Sequence, residues 1–354
     1  MFSLFRGVPR ATLLVTLSLL SSMLPLRAAQ AGEVVTSIRP LGLIASALTD
    51  GITQPQVLLE DGASPHHYAL RPSDMRKLTE ARIVFWVGPE LERFLEKPLA
   101  RTEAITLALG ESDAQHDEEH EDPESHQDQD AHEHEDHEHE DHAAHEHEDH
   151  EHEDHAAHED EDQHEHADDH EEHEHDHGGM DVHPWLDPEK ALLMAQKMYP
   201  ALLEVYPEQH ARLEANLAAF QAQMAEVEQQ IRNQLADNQE QGFYVFHDAY
   251  SGFVEHFGLN QLGYFTVDPG RKPGARHLAE IRHQLEQNNA VCVLSEPQFR
   301  PDVVETITSG LPLNQGELDP LAIGRELTAT AYGEFLLDLA DRFDRCLQVP
   351  VDKE

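Results

Sequence analysis

Short apolar runs alternate with amphipathic segments along most of the chain. The apolar runs are the length of buried strands and occupy residues 34–38, 57–59, 83–87, 243–246, 263–267 and 291–294. The segments with helical spacing occupy residues 40–48, 73–81, 188–203, 277–287 and 332–347, and a further one starts at Pro89. Strands that alternate with helices in this way predict an α/β protein with parallel sheets.

One longer segment separates the two regions of strand–helix alternation. From Pro207 onward, apolar side chains recur at alternate spacings of four and three: Leu213, Leu217, Phe220, Met224, Val227, Ile231 and Leu235. This stripe predicts an amphipathic helix of roughly 30 residues, about 45 Å long. Such a helix can connect two domains, and an ordinary long core helix would show the same stripe. We therefore expect an N-terminal lobe (32–204), a linking helix (205–240) and a C-terminal lobe (241–354).

The first 31 residues have the features of a cleaved secretory signal. Arg6 and Arg10 precede an apolar stretch at 11–26, which is short for a membrane span, and Ala29-Gln30-Ala31 has the small-x-small pattern of a cleavage site. The mature chain should begin near Gly32 and be exported. Export favours a disulfide between the only two cysteines, Cys292 and Cys346, and two free buried thiols are the alternative.

The charge of the chain is concentrated in one insert, residues 111–178. The whole sequence has a net charge of −46, but residues 111–177 alone hold 33 acidic residues, 20 histidines and no lysine or arginine. Outside them, 37 acidic residues face 24 basic ones, a net charge of −13. No basic stripe is available to neutralise phosphates, which excludes nucleic-acid binding as a function class.

The insert contains an exact 13-residue repeat, HEHEDHEHEDHAA, at 132–144 and again at 145–157. Its period suits neither a helix nor a strand, so we expect no stable structure. Imidazoles among carboxylates should bind several divalent cations (Zn²⁺, Ni²⁺, Cu²⁺ or Co²⁺) with modest affinity. The alternative is an acidic solvating loop. The candidate auxiliary ligands in the repeat are His132, His134, His137, His139, His142, His145, His147, His150, His152 and His155.

A zinc-protease motif, H-E-x-x-H, also occurs in this insert at residues 173–177. That motif acts on a helix with an apolar context, whereas here it lies in a low-complexity run, so we interpret it as a chance match.

Three histidines outside the insert share a sequence context. His66, His183 and His247 each lie near a turn, at the end of a predicted strand or just before a helix. Open α/β sheets bind ligands beyond the carboxyl ends of their strands. Three imidazoles that converge there would suit Zn²⁺, with a fourth position for a carboxylate or water. From spacing alone, each could equally be a surface or helix-capping residue.

Several motifs around these histidines resemble a known family. The segments GASPHHYALRPSD (62–74), DVHPWLDP (181–188) and FHDAY (246–250) resemble the metal motifs of the ZnuA family, the periplasmic zinc-binding proteins of ABC importers. SEPQF (295–299) and LDPL (318–321) extend the match in order over essentially the whole mature chain, and a charged His-rich loop before the second motif is also typical. The resemblance implies a periplasmic monomer of two α/β lobes with one zinc ion in the cleft.

The resemblance also implies residue roles. His66 and His183 from the N-terminal lobe and His247 from the C-terminal lobe would be ligands. Manganese-binding relatives tend to have a carboxylate at the position of His247, so imidazole here favours zinc. Some zinc members have Glu just before the first ligand, where this chain has Pro65. Asp319 is then the candidate fourth ligand, with water as the alternative. Cys292 and Cys346 match the family disulfide.

The family role is transport rather than catalysis. By resemblance, the protein would deliver Zn²⁺ to an inner-membrane permease driven by a cytoplasmic ATPase, and could exchange zinc with other periplasmic zinc-binding proteins. The insert would serve as a reservoir, shuttle or sensor. A zinc storage protein and a His₃ zinc hydrolase, with Glu60 as its candidate general base, are the other hypotheses.

Overall fold

The computed structural model describes residues 33–110, 181–267, 274–287, 290–297 and 301–348. The predicted signal segment and the whole His- and acid-rich insert, with its candidate ligands, lie outside these residues. Among the helices described, none has both the length and the hydropathy needed to cross a bilayer.

The first region forms a four-stranded parallel sheet. Its strands are β1 (Val34–Thr36), β2 (Gln56–Val57), β3 (Ile83–Trp86) and β4 (Ile105–Ala108), in the order β2-β1-β3-β4. The connecting helices are α1 (Arg39–Leu48), α2 (Pro72–Glu80) and α3 (Pro89–Leu99). All residues of β1 are buried, as expected for a strand covered on both faces.

Two long helices follow the insert. They are α4 (Pro188–Val205) and α5 (His210–Leu235), with a short 3-10 turn between them at Pro207–Gln209. The stripe predicted for α5 faces the core, since six of its seven apolar positions are buried and Leu217 packs at the edge. At 26 residues α5 is shorter than predicted and spans about 39 Å. It packs against both α1 and α4.

The second region repeats the topology of the first. Its strands are β5 (Gly242–His247), β6 (Asn260–Thr266), β7 (Cys292–Ser295) and β8 (Asn314–Glu317), all parallel, in the order β6-β5-β7-β8. The intervening helices are α6 (Ser251–Phe257), α7 (Ala275–Gln287) and α8 (Pro301–Thr308). In each sheet the strand order reverses beside the first strand, which opens a crevice at the carboxyl ends.

The last helix, α9 (Ala331–Leu347), ties the two regions together. It packs against α5 and α1 as well as against β7 and β8. A disulfide between Cys292 and Cys346, with 5.6 Å between the Cα atoms, fixes its end to β7. The predicted α/β class, with two parallel-sheet lobes and a connecting helix, is therefore confirmed.

The sequence reading missed four elements, namely β4, α6, α8 and β8. The outer strands β4 and β8 alternate between partly buried and exposed positions, and β8 reads Asn-Gln-Gly-Glu, so neither forms an apolar run. The helices α6 and α8 have seven and eight residues, too few for a clear amphipathic period.

A buried carboxyl closes the turn between β3 and α3. Glu92 has no exposed surface, and its Oε2 accepts the N–H of Val87 at 2.7 Å. The intervening Gly88 has φ of +146°, a conformation that side chains disfavour. Burial, with little charge to offset it, raises the pKa of Glu92 to about 7. The folded protein therefore holds a proton here that the unfolded chain releases at lower pH.

The Glu92→Gln variant should lose part of the pH dependence of stability. The folded pKa lies above the unfolded value of 4.5, so the favourable contribution is complete below pH 4.5 and declines toward pH 7. The total loss is about 3 kcal/mol for a shift of this size. Urea unfolding of the metal-free protein at about pH 5 and about pH 7.5 should show a flatter profile for Glu92→Gln. Glu90→Gln, exposed on the same helix, should keep the original profile, and an unaltered profile for Glu92→Gln would contradict the assignment.

Candidate metal centre

The first histidine lies on the loop beyond the carboxyl end of β2. Backbone pairing continues past the strand, with the N–H of Leu58 donating to Thr36 O at 2.8 Å, and the chain then turns at Gly62, which has φ of +79°. The N–H of His66 donates to Ser64 Oγ at 3.3 Å. His66 is half-buried after this turn, at the same sheet edge as the end of β1.

Two carboxylates hold the second histidine in place. The N–H of His183 donates to Asp181 Oδ1 at 2.8 Å, and a 3-10 turn at Pro184–Leu186 follows. Asp187 then caps α4, since its side chain accepts the N–H of Glu189 at 2.8 Å. His183 is only 3% exposed. Its imidazole is therefore presented by a rigid turn at the start of a long helix.

The third histidine is the last residue of β5 and is paired with a buried carboxylate. His247 is 3% exposed, and its Nδ1 lies 3.2 Å from Oε1 of Glu296, which follows β7 directly. The Tyr250 hydroxyl donates to the same oxygen at 3.1 Å, and burial beside Glu296 raises the pKa of Tyr250. A carboxylate at Nδ1 favours the tautomer that carries its proton there and leaves the Nε2 lone pair available for a metal.

The three imidazoles converge. Nε2 of His183 lies 3.3 Å from Nε2 of His66, and one nitrogen from each of the three rings lies within 4.8 Å of the others. Two tetrahedral zinc ligands at about 2.0–2.1 Å from the metal stand about 3.3–3.4 Å apart. Among the described residues, these three histidines form a group of side chains close enough together to hold one metal ion.

The third ring also presents an unpartnered nitrogen to this group. Nε2 of His247 is buried and has no hydrogen-bond partner among the described residues. Leaving such an atom unpaired costs about 1–3 kcal/mol, and a bound metal ion is one partner that would satisfy it.

The histidines line a small cavity with apolar walls. Its volume is about 20 Å³, and Pro65, Trp185 and Leu321 form part of the lining. That space suits one ion or a water molecule, whereas sites for organic ligands are usually about 300–1,000 Å³. The apolar walls lower the local dielectric constant, which strengthens the interaction between an ion and its ligands.

Asp319 does not join the three histidines in the part of the chain that the structure describes. Its two carboxylate oxygens accept the N–H groups of Leu321 at 3.0 Å and Ile323 at 2.5 Å. Burial raises the pKa of Asp319, and these two hydrogen bonds oppose that shift. The geometry is that of a side chain which folds its own loop.

The neighbour of the first histidine and the candidate base Glu60 both lie at the surface. His67 is exposed and does not belong to the histidine group of the described structure. Glu60, the candidate general base of the hydrolase hypothesis, forms an exposed ion pair with Arg71. Its carboxylate is therefore engaged by a guanidinium group.

Sequence reasoning gave Glu296 no role, although it lies in the quoted motif at 295–299. A usable signal was present, because an acidic residue directly after a buried strand lies at the same sheet edge as a histidine that ends the neighbouring strand.

Replacement of Glu296 by Gln should weaken Zn²⁺ binding by about 10- to 100-fold, the usual effect of losing a partner of a metal ligand. The Gln amide keeps the shape of the Glu side chain, but its oxygen is a weaker hydrogen-bond acceptor than a carboxylate. The amide can also turn its NH₂ group toward Nδ1 of His247, where it cannot accept a proton. Competition with a chelating dye measures the change. Glu317→Gln, at the exposed end of β8, serves as the control, and wild-type affinity in Glu296→Gln would refute the role.

Comparisons with known proteins show which family the chain is similar to. The family model of ZnuA, the periplasmic zinc-uptake complex component A, matches residues 34–346. A high-affinity zinc uptake system protein ZnuA of Yersinia pestis is 40% identical over 326 residues, covering 89% of this chain and 91% of its own length. The protein of the same name in Haemophilus ducreyi is 42% identical over 315 residues, with coverage of 89% and 93%.

Solved structures show the same fold. A crystal structure of ZnuA aligns with a TM-score of 0.64 at 20% identity and covers 90% of this chain and 100% of its own. A zinc-bound deletion mutant of ZnuA aligns at 0.62 and 20% identity, with coverage of 89% and 98%. With two parallel-sheet lobes, a connecting helix and a family match over nearly the whole described chain, this protein belongs to the ZnuA family of periplasmic zinc-uptake components.

Proposed function

We propose that this protein captures a single Zn²⁺ ion in the periplasm, with Nε2 of His66, His183 and His247 as ligands. The observation that carries the proposal is the convergence of these nitrogens around a cavity of ion size. Imidazole is a good ligand for zinc, and three neutral imidazoles match the common N₃ set. The relatives from Yersinia pestis and Haemophilus ducreyi, named as high-affinity zinc uptake proteins, support zinc as the cargo.

Water completes the coordination in this proposal. Pro65 precedes the first ligand and offers no oxygen from its side chain, and the oxygens of Asp319 are engaged by loop amides. The fourth position beside three imidazoles is then left to water. The small cavity, about 20 Å³, argues against a hydrolase, which must accommodate an organic substrate beside the metal-bound water.

The ion would then pass to an inner-membrane ABC permease driven by a cytoplasmic ATPase. Residues 1–31 act as the export signal, and the mature chain begins near Gly32. The N-terminal lobe (32–204) supplies two ligands and the C-terminal lobe (241–354) supplies the third, so zinc bridges the lobes. Segment 205–240 links them, and the packing of α9 on both α1 and α5 supports a small closure rather than a wide hinge motion.

Loss of a ligand should abolish the tight site. In metal buffers that hold free Zn²⁺ too low for weaker sites, His183→Ala and the triple variant of His66, His183 and His247 should lose affinity by more than about 100-fold, beyond the usual effect of outer partners. His283→Ala, on the exposed face of α7, should bind as the wild type does. Unchanged tight binding in the triple variant would instead favour the storage hypothesis, in which the insert is the principal site.

The insert is proposed as an auxiliary store that captures zinc and passes it to the cleft. Twenty imidazoles among 33 carboxylates provide many sites of modest affinity. Binding must order the chain locally, and that entropy cost weakens each site relative to the histidine cluster. If the insert is a sensor, it would use the same ligands. Its weaker sites would fill only at zinc concentrations that already fill the cleft.

Deletion of residues 112–178 separates the two kinds of site. We expect isothermal titration to show one tight Zn²⁺ per chain and the loss of the additional weak ions. A deletion variant that keeps its fold by circular dichroism but loses the tight site would show that the insert contributes ligands to the cleft.

A further inference from the structure

The turn that carries His183 is anchored through Trp185. This indole has no exposed surface, and its N–H donates to the carbonyl oxygen of Pro320 at 2.7 Å. The hydroxyl of Tyr332 on α9 donates to the backbone oxygen of Trp185 at 2.8 Å. The Trp185 ring meets the His183 ring edge to face, with 5.3 Å between the centroids. Two buried hydrogen bonds from the C-terminal part of the chain thus fix the residue that packs against a proposed ligand.

The loop that supplies the Pro320 carbonyl is held by Asp319. The carboxylate accepts the N–H of Leu321 and of Ile323, which curls residues 319–323 around it. Ala322 within the curl has φ of +52°, a conformation that a side chain adopts only when its surroundings impose it. At its start the loop is fixed to the sheet, since the N–H of Leu318 donates to Ser295 O at 2.8 Å.

Asp319 and the histidines line different cavities. The three histidines share theirs with Pro320 and Leu321, the residues that follow Asp319. Asp319 itself lines a separate cavity of about 290 Å³, together with Arg325, Asp338 and Arg342. The carboxylate therefore acts on the metal site through the loop.

We propose that Asp319 is a positioning residue for the metal site, which holds the Pro320 carbonyl against the Trp185 indole and thereby fixes the His183 imidazole. The proposal rests on the ligand set proposed above. It gives the motif at 318–321 a role distinct from ligation. Removal of the carboxylate would keep all three imidazoles as ligands but would let the His183 ring move, and the effect on Zn²⁺ affinity would be transmitted through Trp185.

A double-mutant cycle on the mature full-length protein tests this route, with Zn²⁺ buffered so that only the tightest site fills. Asp319→Ala and Trp185→Phe should each weaken binding by about tenfold, as loss of an outer partner does. The double variant should bind Zn²⁺ within about twofold of the weaker single variant. Both substitutions disturb the same hydrogen bond between Trp185 and Pro320, so their effects should not add. Asp319→Asn keeps one acceptor oxygen and should lose less affinity than Asp319→Ala. Asp338→Asn, in the same cavity as Asp319, is the matched control and should bind normally.

Cobalt reports directly on the ligands. The visible absorption of the first equivalent of Co²⁺ should be the same in Asp319→Ala as in the wild type, since the coordinating atoms are unchanged. An altered Co²⁺ spectrum, independent and additive losses in the cycle, or wild-type affinity in Asp319→Ala would each overturn the proposal. If His183→Ala also kept tight binding, the proposed ligand set itself would fail. If His183→Ala lost binding while Asp319→Ala did not, only the positioning role would fail.

Discussion

The site depends on keeping three imidazole nitrogens within a few ångströms of one another although they come from distant parts of the chain. Two parallel sheets make this possible, because each sheet delivers its loops at the carboxyl edge of its strands. The Nε2 of His247 is buried and has no hydrogen-bond partner in the described structure, so its lone pair is available to a cation. A cation that binds only the folded chain stabilises it by an amount that grows with the ratio of the free cation concentration to its Kd.

The elements around the site favour a preorganised geometry. Asp181 and Asp187 brace the His183 turn, and Glu296 orients His247. Such bracing lowers the ordering cost of binding and therefore raises affinity without any additional ligand.

Much of this arrangement was accessible from sequence. The alternation of strands and helices predicts the α/β class. The three histidines share a position at strand ends or helix starts, but the resemblance to the ZnuA motifs, rather than their spacing, predicts them as ligands. The polar outer strand β8 was not accessible, because its Asn-Gln-Gly-Glu sequence is placed by pairing with β7 rather than by its own pattern. Asp319 shows a second limit: an aspartate before proline fits a metal ligand and a loop cap equally well, and only the positions of the Leu321 and Ile323 amides separate them.

The placement of α9 has a consequence for the order in which the protein matures. The strands that deliver His66 and His247 precede α9 in the chain, yet Tyr332 at its start and Cys346 near its end secure the His183 turn and β7. Because α9 also packs on α1, the structure includes contacts between distant parts of the sequence, a topology associated with slow folding. The hydrogen bond from Tyr332 that secures the His183 turn can form only after α9 has been synthesised, so the turn that carries this proposed ligand is completed late.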